Sequence, residues 1–95
     1  QFASAINVPI LANITEFGKT PLFSVEELKG ADIDMVLYPL TAFRAMNKAA
    51  LDTFRVVRER GCQKDIINTM QTRDELYEML DYHSYEAQLD ALANK

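Results

Sequence analysis

Two short apolar runs organise the first half of the chain, and each is followed by helix signals. The first run lies within residues 6–14 and the second within residues 34–40. Short runs of this kind are typical of strands that a parallel sheet buries on both faces. We therefore predict a strand at each run, with residues 15–23 forming a loop after the first strand.

Each predicted strand leads into a predicted helix. Ser24 and Glu27 have the spacing of a capping box, which predicts a short helix that ends near Gly30. Thr41 is placed to cap a longer helix that runs to about Arg60 and is closed by a glycine. The apolar positions of this longer helix recur at helical spacing, at Phe43, Met46, Ala50, Phe54 and Val57. The order strand, helix, strand, helix predicts parallel strands.

The last third of the chain has only helical signals. Residues 65–70 predict a short helical piece, and Thr72 with Glu75 forms a second capping-box spacing for a helix to about Asp81. Ser84 is placed to cap a final helix. Three apolar or aromatic side chains share one face of that helix: Tyr85, Leu89 and Leu92.

This arrangement predicts an α/β protein that is larger than the chain. Two parallel strands alone leave both edges open and cannot be covered on both faces. We therefore expect residues 1–61 to be the last two strand–helix units of a (β/α)8 TIM barrel, and residues 62–95 to be a C-terminal helical extension. The alternative is an independent α/β mini-domain or a tight oligomer.

Composition excludes several other classes of protein. The net charge is −4 over 95 residues, which argues against binding a nucleic-acid backbone, and no stretch approaches the ~18 apolar residues of a membrane span. Cys62 and His83 are the single residues of their types, so disulfide frameworks and cysteine-rich or multi-histidine zinc sites are excluded. A single cysteine fits a reducing compartment, and we expect a cytoplasmic protein that binds neither nucleic acid nor membrane.

Polar residues stand where the first strand ends, the usual position of chemistry in α/β folds. The amide of Asn13 and the hydroxyl of Thr15 can bind carboxylate oxygens, and the backbone of Ile14 can join them. A turn closed by the Asn and Thr side chains is an equally good interpretation. Glu16 is a general base or an ion-pair partner, and the lack of a second carboxylate nearby favours the ion pair.

Further candidates come from the later elements. Arg44 falls in the first turn of its helix, where a bound carboxylate or phosphate would offset the unfavourable helix dipole; a surface arginine is the alternative. Arg73 repeats this position in a later helix, where solvent exposure is the simpler interpretation. Leu37 and Pro39 are expected to share one face of the second strand, lining either the site or ordinary core.

Three strings in order resemble one family closely. VPILANITEFGKTPLF, LYPLTAFRAMNKAA and DIINTMQTRDELYEMLDYHSYE together cover most of the chain. They are similar to the C-terminal region of the 2-methylisocitrate lyases, within the isocitrate lyase and phosphoenolpyruvate mutase superfamily. The resemblance implies a barrel enzyme that cleaves 2-methylisocitrate, a small tricarboxylate, to pyruvate and succinate in the methylcitrate cycle of propionate catabolism. It also implies Mg²⁺ as cofactor and a homotetramer that exchanges C-terminal helices.

The resemblance also assigns residues by position. Asn13, Ile14 and Thr15 match the family's substrate-binding run, and Arg44 and Arg73 match two arginines that bind substrate. In addition, Leu37 and Pro39 match positions that line an apolar pocket for the substrate's methyl group.

The family's other functional groups have no counterpart in the sequence. The family's cysteine loop with its KRCGH-like motif and its acidic Mg²⁺ ligands do not occur in these 95 residues. We therefore expect no catalytic residue, no metal ligand and no activity in this segment alone. A phosphonomutase or oxaloacetate decarboxylase of the same superfamily is one alternative for the whole protein. A non-enzymatic helical interaction module is the other.

Overall fold

The computed structural model describes all of residues 1–95 and is mostly helical, with one small parallel sheet. Its elements are α1 (Phe2–Ala5), β1 (Leu11–Asn13), α2 (Val25–Gly30), β2 (Met35–Leu37), α3 (Thr41–Arg60), a 3-10 helix (Lys64–Thr69), α4 (Arg73–Leu80) and α5 (Tyr82–Ala93). The two strands pair in parallel, with Leu11 opposite Met35 and Asn13 opposite Leu37. The predicted parallel pair with an intervening helix is confirmed.

Both strands are shorter than the sequence predicts. The peptide N–H of Ile10 donates to the Asp34 carboxylate at 2.8 Å instead of to a backbone carbonyl. Because this side chain takes the position of a ladder partner, regular pairing begins only at Leu11. Pro9 and Pro39, which have no N–H to donate, flank the paired residues and limit the strands to three residues each.

The helix ends are mostly as predicted. Complete capping boxes begin α2 at Ser24 and α4 at Thr72. In both boxes the hydroxyl accepts the N–H three residues later, and that residue's carboxylate accepts the cap N–H. Gly61 closes α3 at a φ of 66°, the left-handed region that glycine enters without steric cost.

Two predicted caps are wrong. The Thr41 hydroxyl donates to Glu16, and the first helical N–H bond of α3 runs from Arg44 to the carbonyl of Leu40. Ser84 lies inside α5, because the chain turns earlier, at Asp81 with a φ of 53°. Asp81 tolerates this left-handed conformation better than most residues, which ends α4 and begins α5 in one step.

The chain keeps most of its apolar side chains exposed. Leu28 is the one buried hydrophobic residue, at 8% exposure, whereas Phe54 of the α3 apolar stripe is 72% exposed. The accessible surface is 8675 Å², against about 5,500 Å² expected for a compact monomer of 10.8 kDa. These helices and strands therefore present apolar faces that further protein would normally cover.

The chain divides into two units. The first comprises Gln1–Phe54 and contains the sheet, and the second comprises Arg55–Lys95 and is helical. The predicted boundary between barrel and extension, after residue 61, lies a few residues beyond this division. No helix combines the length and the apolar character needed to cross a membrane.

Candidate functional site

The carboxyl ends of β1 and β2 lie side by side, because parallel strands end at the same edge of a sheet. Asn13 is the last residue of β1 and stands opposite Leu37, the last residue of β2. The N–H of Ile14 donates to the Leu37 carbonyl at 2.8 Å, extending the pairing by one bond. The predicted run Asn13, Ile14 and Thr15 therefore begins at the sheet edge, with the Ile14 N–H already committed to the neighbouring strand.

The side chains of Asn13 and Thr15 contact each other. The Thr15 hydroxyl donates to Asn13 Oδ1 at 3.3 Å. This bond orients the Asn13 amide, and its nitrogen, with two N–H donors, is then the group suited to a ligand oxygen. The turn closed by these two side chains and the ligand-binding interpretation are thus compatible in one geometry.

A cavity of about 160 Å³ opens beside this strand end. It is lined by Asn13, Ile14, Thr15, Gly18, Lys19, Thr20, Pro21 and Leu22. Polar groups of β1 and of the following loop face this space, together with one cation, Lys19. No sequence pattern indicates Lys19 at this cavity, because a single lysine in an exposed loop has no characteristic spacing to other residues.

Arg44 contacts the same loop by a tight set of bonds. Its Nη1 donates to the Glu16 main-chain carbonyl at 3.0 Å and to Glu16 Oε2 at 3.1 Å. The two side chains are 38% and 22% exposed, so this ion pair is partly shielded from water. The ion-pair interpretation of Glu16 is confirmed, and Arg44 is not a freely solvated surface arginine.

Two further side chains complete the cluster around Arg44. The Thr41 hydroxyl donates to Glu16 Oε1, and the Arg44 guanidinium lies 5.4 Å from the centre of the Phe17 ring. The hydrogen bond from Thr41, followed by bonds from the Glu16 backbone and from Arg44, lowers the pKa of the Glu16 carboxyl below 4.5. Phe17 has a φ of 65°, which is unusual for an aromatic residue and costs backbone energy. We name Glu16, Phe17, Thr41 and Arg44 the arginine cluster.

Leu37 and Pro39 are placed differently from the prediction. Leu37 ends β2, whereas Pro39 lies two residues beyond it in a bend. Their expected sharing of one strand face is wrong, since strand alternation does not extend to Pro39. Both residues are exposed, and neither lines the cavity beside Asn13.

Arg73 belongs to the second unit, where it is the exposed first residue of α4. The same unit contains a stacked pair of rings, Tyr77 and Tyr82, with centroids 4.2 Å apart. The ring of His83 meets both tyrosines edge-on. These ring contacts join α4 to α5. Cys62, the single cysteine, lies before α4 and is exposed.

The residues of the chain do not form a metal site. No group of three or more His, Cys, Asp or Glu side chains is arranged to hold a metal ion. The cavity is instead suited to binding anionic oxygens, because amide, hydroxyl and ammonium groups of Asn13, Thr20 and Lys19 line it. Arg44 is not among the lining residues and is connected to this loop through Glu16.

Known proteins provide an independent comparison. No protein-family model matches the chain. It is 61% identical over 92 residues to a 2-methylisocitrate lyase of Escherichia coli (strain K12), covering 97% of this chain and 31% of that protein. The identity is 56% with the enzyme of that name from Vibrio cholerae, over 97% of this chain and 32% of the relative. It is 48% with that of Bacillus subtilis, over 92% and 29%.

The similarity extends along nearly the whole chain but covers only part of each relative. The chain spans about a third of the length of the curated relatives it matches, 31% for the Escherichia coli protein. This proportion agrees with the predicted C-terminal segment. The resemblance seen in the three strings is therefore confirmed, and the chain belongs, as a segment, to the family of the 2-methylisocitrate lyases.

Proposed function

We propose that the full-length parent of this chain is a carbon–carbon lyase that cleaves 2-methylisocitrate to pyruvate and succinate. The reaction belongs to the methylcitrate cycle of propionate catabolism. The observation that carries the proposal is the 61% identity to a protein named 2-methylisocitrate lyase over 97% of the chain. The cytoplasmic location expected from the single cysteine is part of the same proposal.

In this proposal the segment supplies substrate-carboxylate binding. Asn13, Ile14 and Thr15 line the 160 Å³ cavity, where the Asn13 amide nitrogen is the donor suited to a carboxylate, and Arg44 bonds to Glu16, the residue that follows them. A guanidinium is suited to this task because its planar donors match a carboxylate. Arg73 would bring a second guanidinium from α4. Leu37 and Pro39 would contact the methyl group that distinguishes this substrate from isocitrate.

The exposed apolar faces support a barrel as the fold of the parent. β1 and β2 would be its last two strands, with the α3 stripe packed against neighbouring elements. In addition, α4 and α5 would form the extension that joins subunits in a tetramer, with α5 exchanged. The Tyr85, Leu89 and Leu92 face of α5 supports this arrangement, since all three side chains are more than 60% exposed.

The family implies a Mg²⁺ ion for the parent. The acidic side chains of this segment do not cluster into a ligand set, so we assign none of them a role in holding the ion. When bound to the parent, the ion would polarise the substrate's oxygens. The residues of this chain would bind and orient the substrate's carboxylates.

The test is a substrate comparison with the purified full-length parent in the presence of Mg²⁺. Pyruvate release from 2-methylisocitrate should exceed cleavage of isocitrate by about 10- to 200-fold in kcat/KM, as one methyl group in an apolar pocket allows. The 95-residue segment alone is the matched negative control and should be inactive. Oxaloacetate decarboxylation without 2-methylisocitrate cleavage would contradict the proposal and favour the decarboxylase alternative.

A further inference from the structure

The contacts of Arg44 use one corner of its guanidinium. Nη1 donates both hydrogen bonds, and both acceptors belong to Glu16. One acceptor is the main-chain carbonyl at 3.0 Å and the other is Oε2 at 3.1 Å. Nη1 carries two N–H groups, so these two bonds use it fully. Glu16 therefore uses both N–H groups of Nη1, and two hydrogen bonds, not one, orient the guanidinium.

The opposite edge of the same guanidinium is left for a ligand. An arginine has five N–H donors in a rigid plane, and Nε with Nη2 supplies the remaining three. These two nitrogens form an edge that can hold a carboxylate by two parallel hydrogen bonds. A side chain fixed at Nη1 thus has only one bidentate edge to offer, in one orientation.

Glu16 is itself held in place. Its second oxygen, Oε1, accepts the hydroxyl proton of Thr41, which lies three residues before Arg44 in the first turn of α3. Both carboxylate oxygens are therefore engaged by the same helical turn. The Phe17 ring, 5.4 Å from the guanidinium carbon, adds a contact to its face. These bonds cross 25 and 28 residues of sequence and tie the loop after β1 to α3.

We propose that Glu16 is the positioning residue for Arg44, fixing the guanidinium so that its Nε–Nη2 edge receives a substrate carboxylate. The inference rests on the proposed function and adds a residue that the family resemblance did not assign. Thr41 fixes Glu16 in turn, so the unit that positions the guanidinium is the arginine cluster rather than Arg44 alone. Glu16 itself touches no substrate in this arrangement.

An alternative role would be competition, with Glu16 occupying Arg44 until substrate displaces it. One observation argues against this. One of the two acceptors is the Glu16 main-chain carbonyl, which stays beside Nη1 wherever the carboxylate turns. A substrate carboxylate at Nε and Nη2 needs neither bond to break. Competition would make removal of the carboxylate improve binding, whereas positioning makes it worse.

The first measurement is steady-state kinetics of the full-length parent with 2-methylisocitrate. Glu16→Ala should raise KM about 10- to 100-fold with a smaller change in kcat, because a carboxylate contact present in both the ground state and the transition state is weakened. Glu16→Gln keeps an acceptor for Nη1 and should recover most of the loss. Glu26→Gln, at an exposed position of α2, is the matched control and should leave both constants unchanged.

A double-mutant cycle separates positioning from a merely structural role. In an Arg44→Ala background, Glu16→Ala should change KM less than twofold, since there is no guanidinium left to orient. Equal effects in both backgrounds would overturn the proposal. A lower KM in Glu16→Ala alone would overturn it in favour of competition.

Crystal structures of the wild-type and Glu16→Ala parents decide the inference independently of activity. Positioning predicts that the Arg44 guanidinium leaves its wild-type orientation in the variant while the fold is retained. An unchanged guanidinium would overturn the inference, whatever the kinetics. If the wild-type parent does not cleave 2-methylisocitrate, the proposed function fails, and these structures alone decide the role of Glu16.

Discussion

Different kinds of contact stabilise each of the two units internally. In the first unit, side chains bond across long stretches of sequence, as Glu16 does with Arg44 28 residues away and Asp34 with Ile10 24 residues away. In the second unit, the side-chain bonds join residues that are close in sequence. Arg60 pairs with Asp65 five residues on, and Gln71 donates to the Met79 sulfur eight residues on.

Because their contacts differ, the two units are suited to different roles. Bonds between distant residues fix the relative placement of a loop, two strand ends and a helix, which is what a binding site needs. Local bonds fix helix ends but leave the outer faces of the helices uncommitted. The first unit therefore contains a preorganised cluster, whereas the second contains well-defined helices whose exposed faces are suited to packing against further protein.

The strongest test of the first unit is Arg44→Lys in the full-length parent. A single ammonium cannot serve Glu16 and also hold a carboxylate by two parallel bonds, so we expect kcat/KM to fall about 100-fold. Arg58→Lys, an exposed arginine in the last turn of α3, is the control and should behave as wild type. Steady-state kinetics measures both. Wild-type constants in Arg44→Lys would remove the arginine cluster from the site.

The second unit is tested for a part in binding by Arg73→Ala. We expect about a 10-fold rise in KM with kcat unchanged, as the loss of uniform substrate binding requires. Removing a cation from the first turn of α4 slightly favours the helix, so unfolding cannot produce this result. Lys64→Ala, the loss of an exposed cation in the same unit, is the control. An unchanged KM would make the second unit a purely structural extension.

Sequence patterns predicted the local features in both units. The Ser24 and Thr72 capping boxes and the left-handed Gly61 follow from residue type and short spacing, and all three are present. Thr41 and Ser84 were wrongly predicted as caps. A tertiary partner, Glu16, takes the Thr41 hydroxyl, and the turn at Asp81 starts α5 ahead of Ser84.

The assembled site was only partly predictable. The run Asn13 to Thr15 and the position of Arg44 in a first helical turn are visible in the sequence. The bonds that join Glu16, Phe17 and Arg44 depend on a loop folding back over 28 residues, which no spacing rule describes. The same holds for Lys19 at the cavity, because its placement depends on the loop's path and not on its neighbours in sequence.

Removing each capping box tests whether local hydrogen bonds contribute equally to the free energy of unfolding in the two units. Ser24→Ala and Thr72→Ala should each cost about 1 kcal/mol in the free energy of unfolding of the parent, because each leaves one helix N–H without its acceptor. Ser84→Ala is the control and should cost less than about 0.5 kcal/mol, since Ser84 caps no helix. Denaturant unfolding provides the values. A cost for Ser24→Ala without one for Thr72→Ala would mean that packing in the parent, not its own cap, holds α4.

The smallest expected effect is the pH dependence of the arginine cluster. The hydrogen bond from Thr41, with the other donors around it, holds the pKa of Glu16 in the folded protein below its usual 4.5. A carboxyl whose pKa is lowered by folding contributes its full stability above the unfolded pKa and loses it as the pH falls through the lower folded pKa.

The melting temperature of the parent should therefore exceed that of Glu16→Gln by a constant amount at neutral pH, and the difference should shrink below pH 4.5. Thr41→Val removes the main cause of the shift, so in that background the folded pKa rises toward the unfolded one, and the loss should be smaller and complete at a higher pH. A difference that stays constant through the acid range would mean that the charge of Glu16 does not stabilise the cluster, leaving its main-chain carbonyl as the group that holds Arg44.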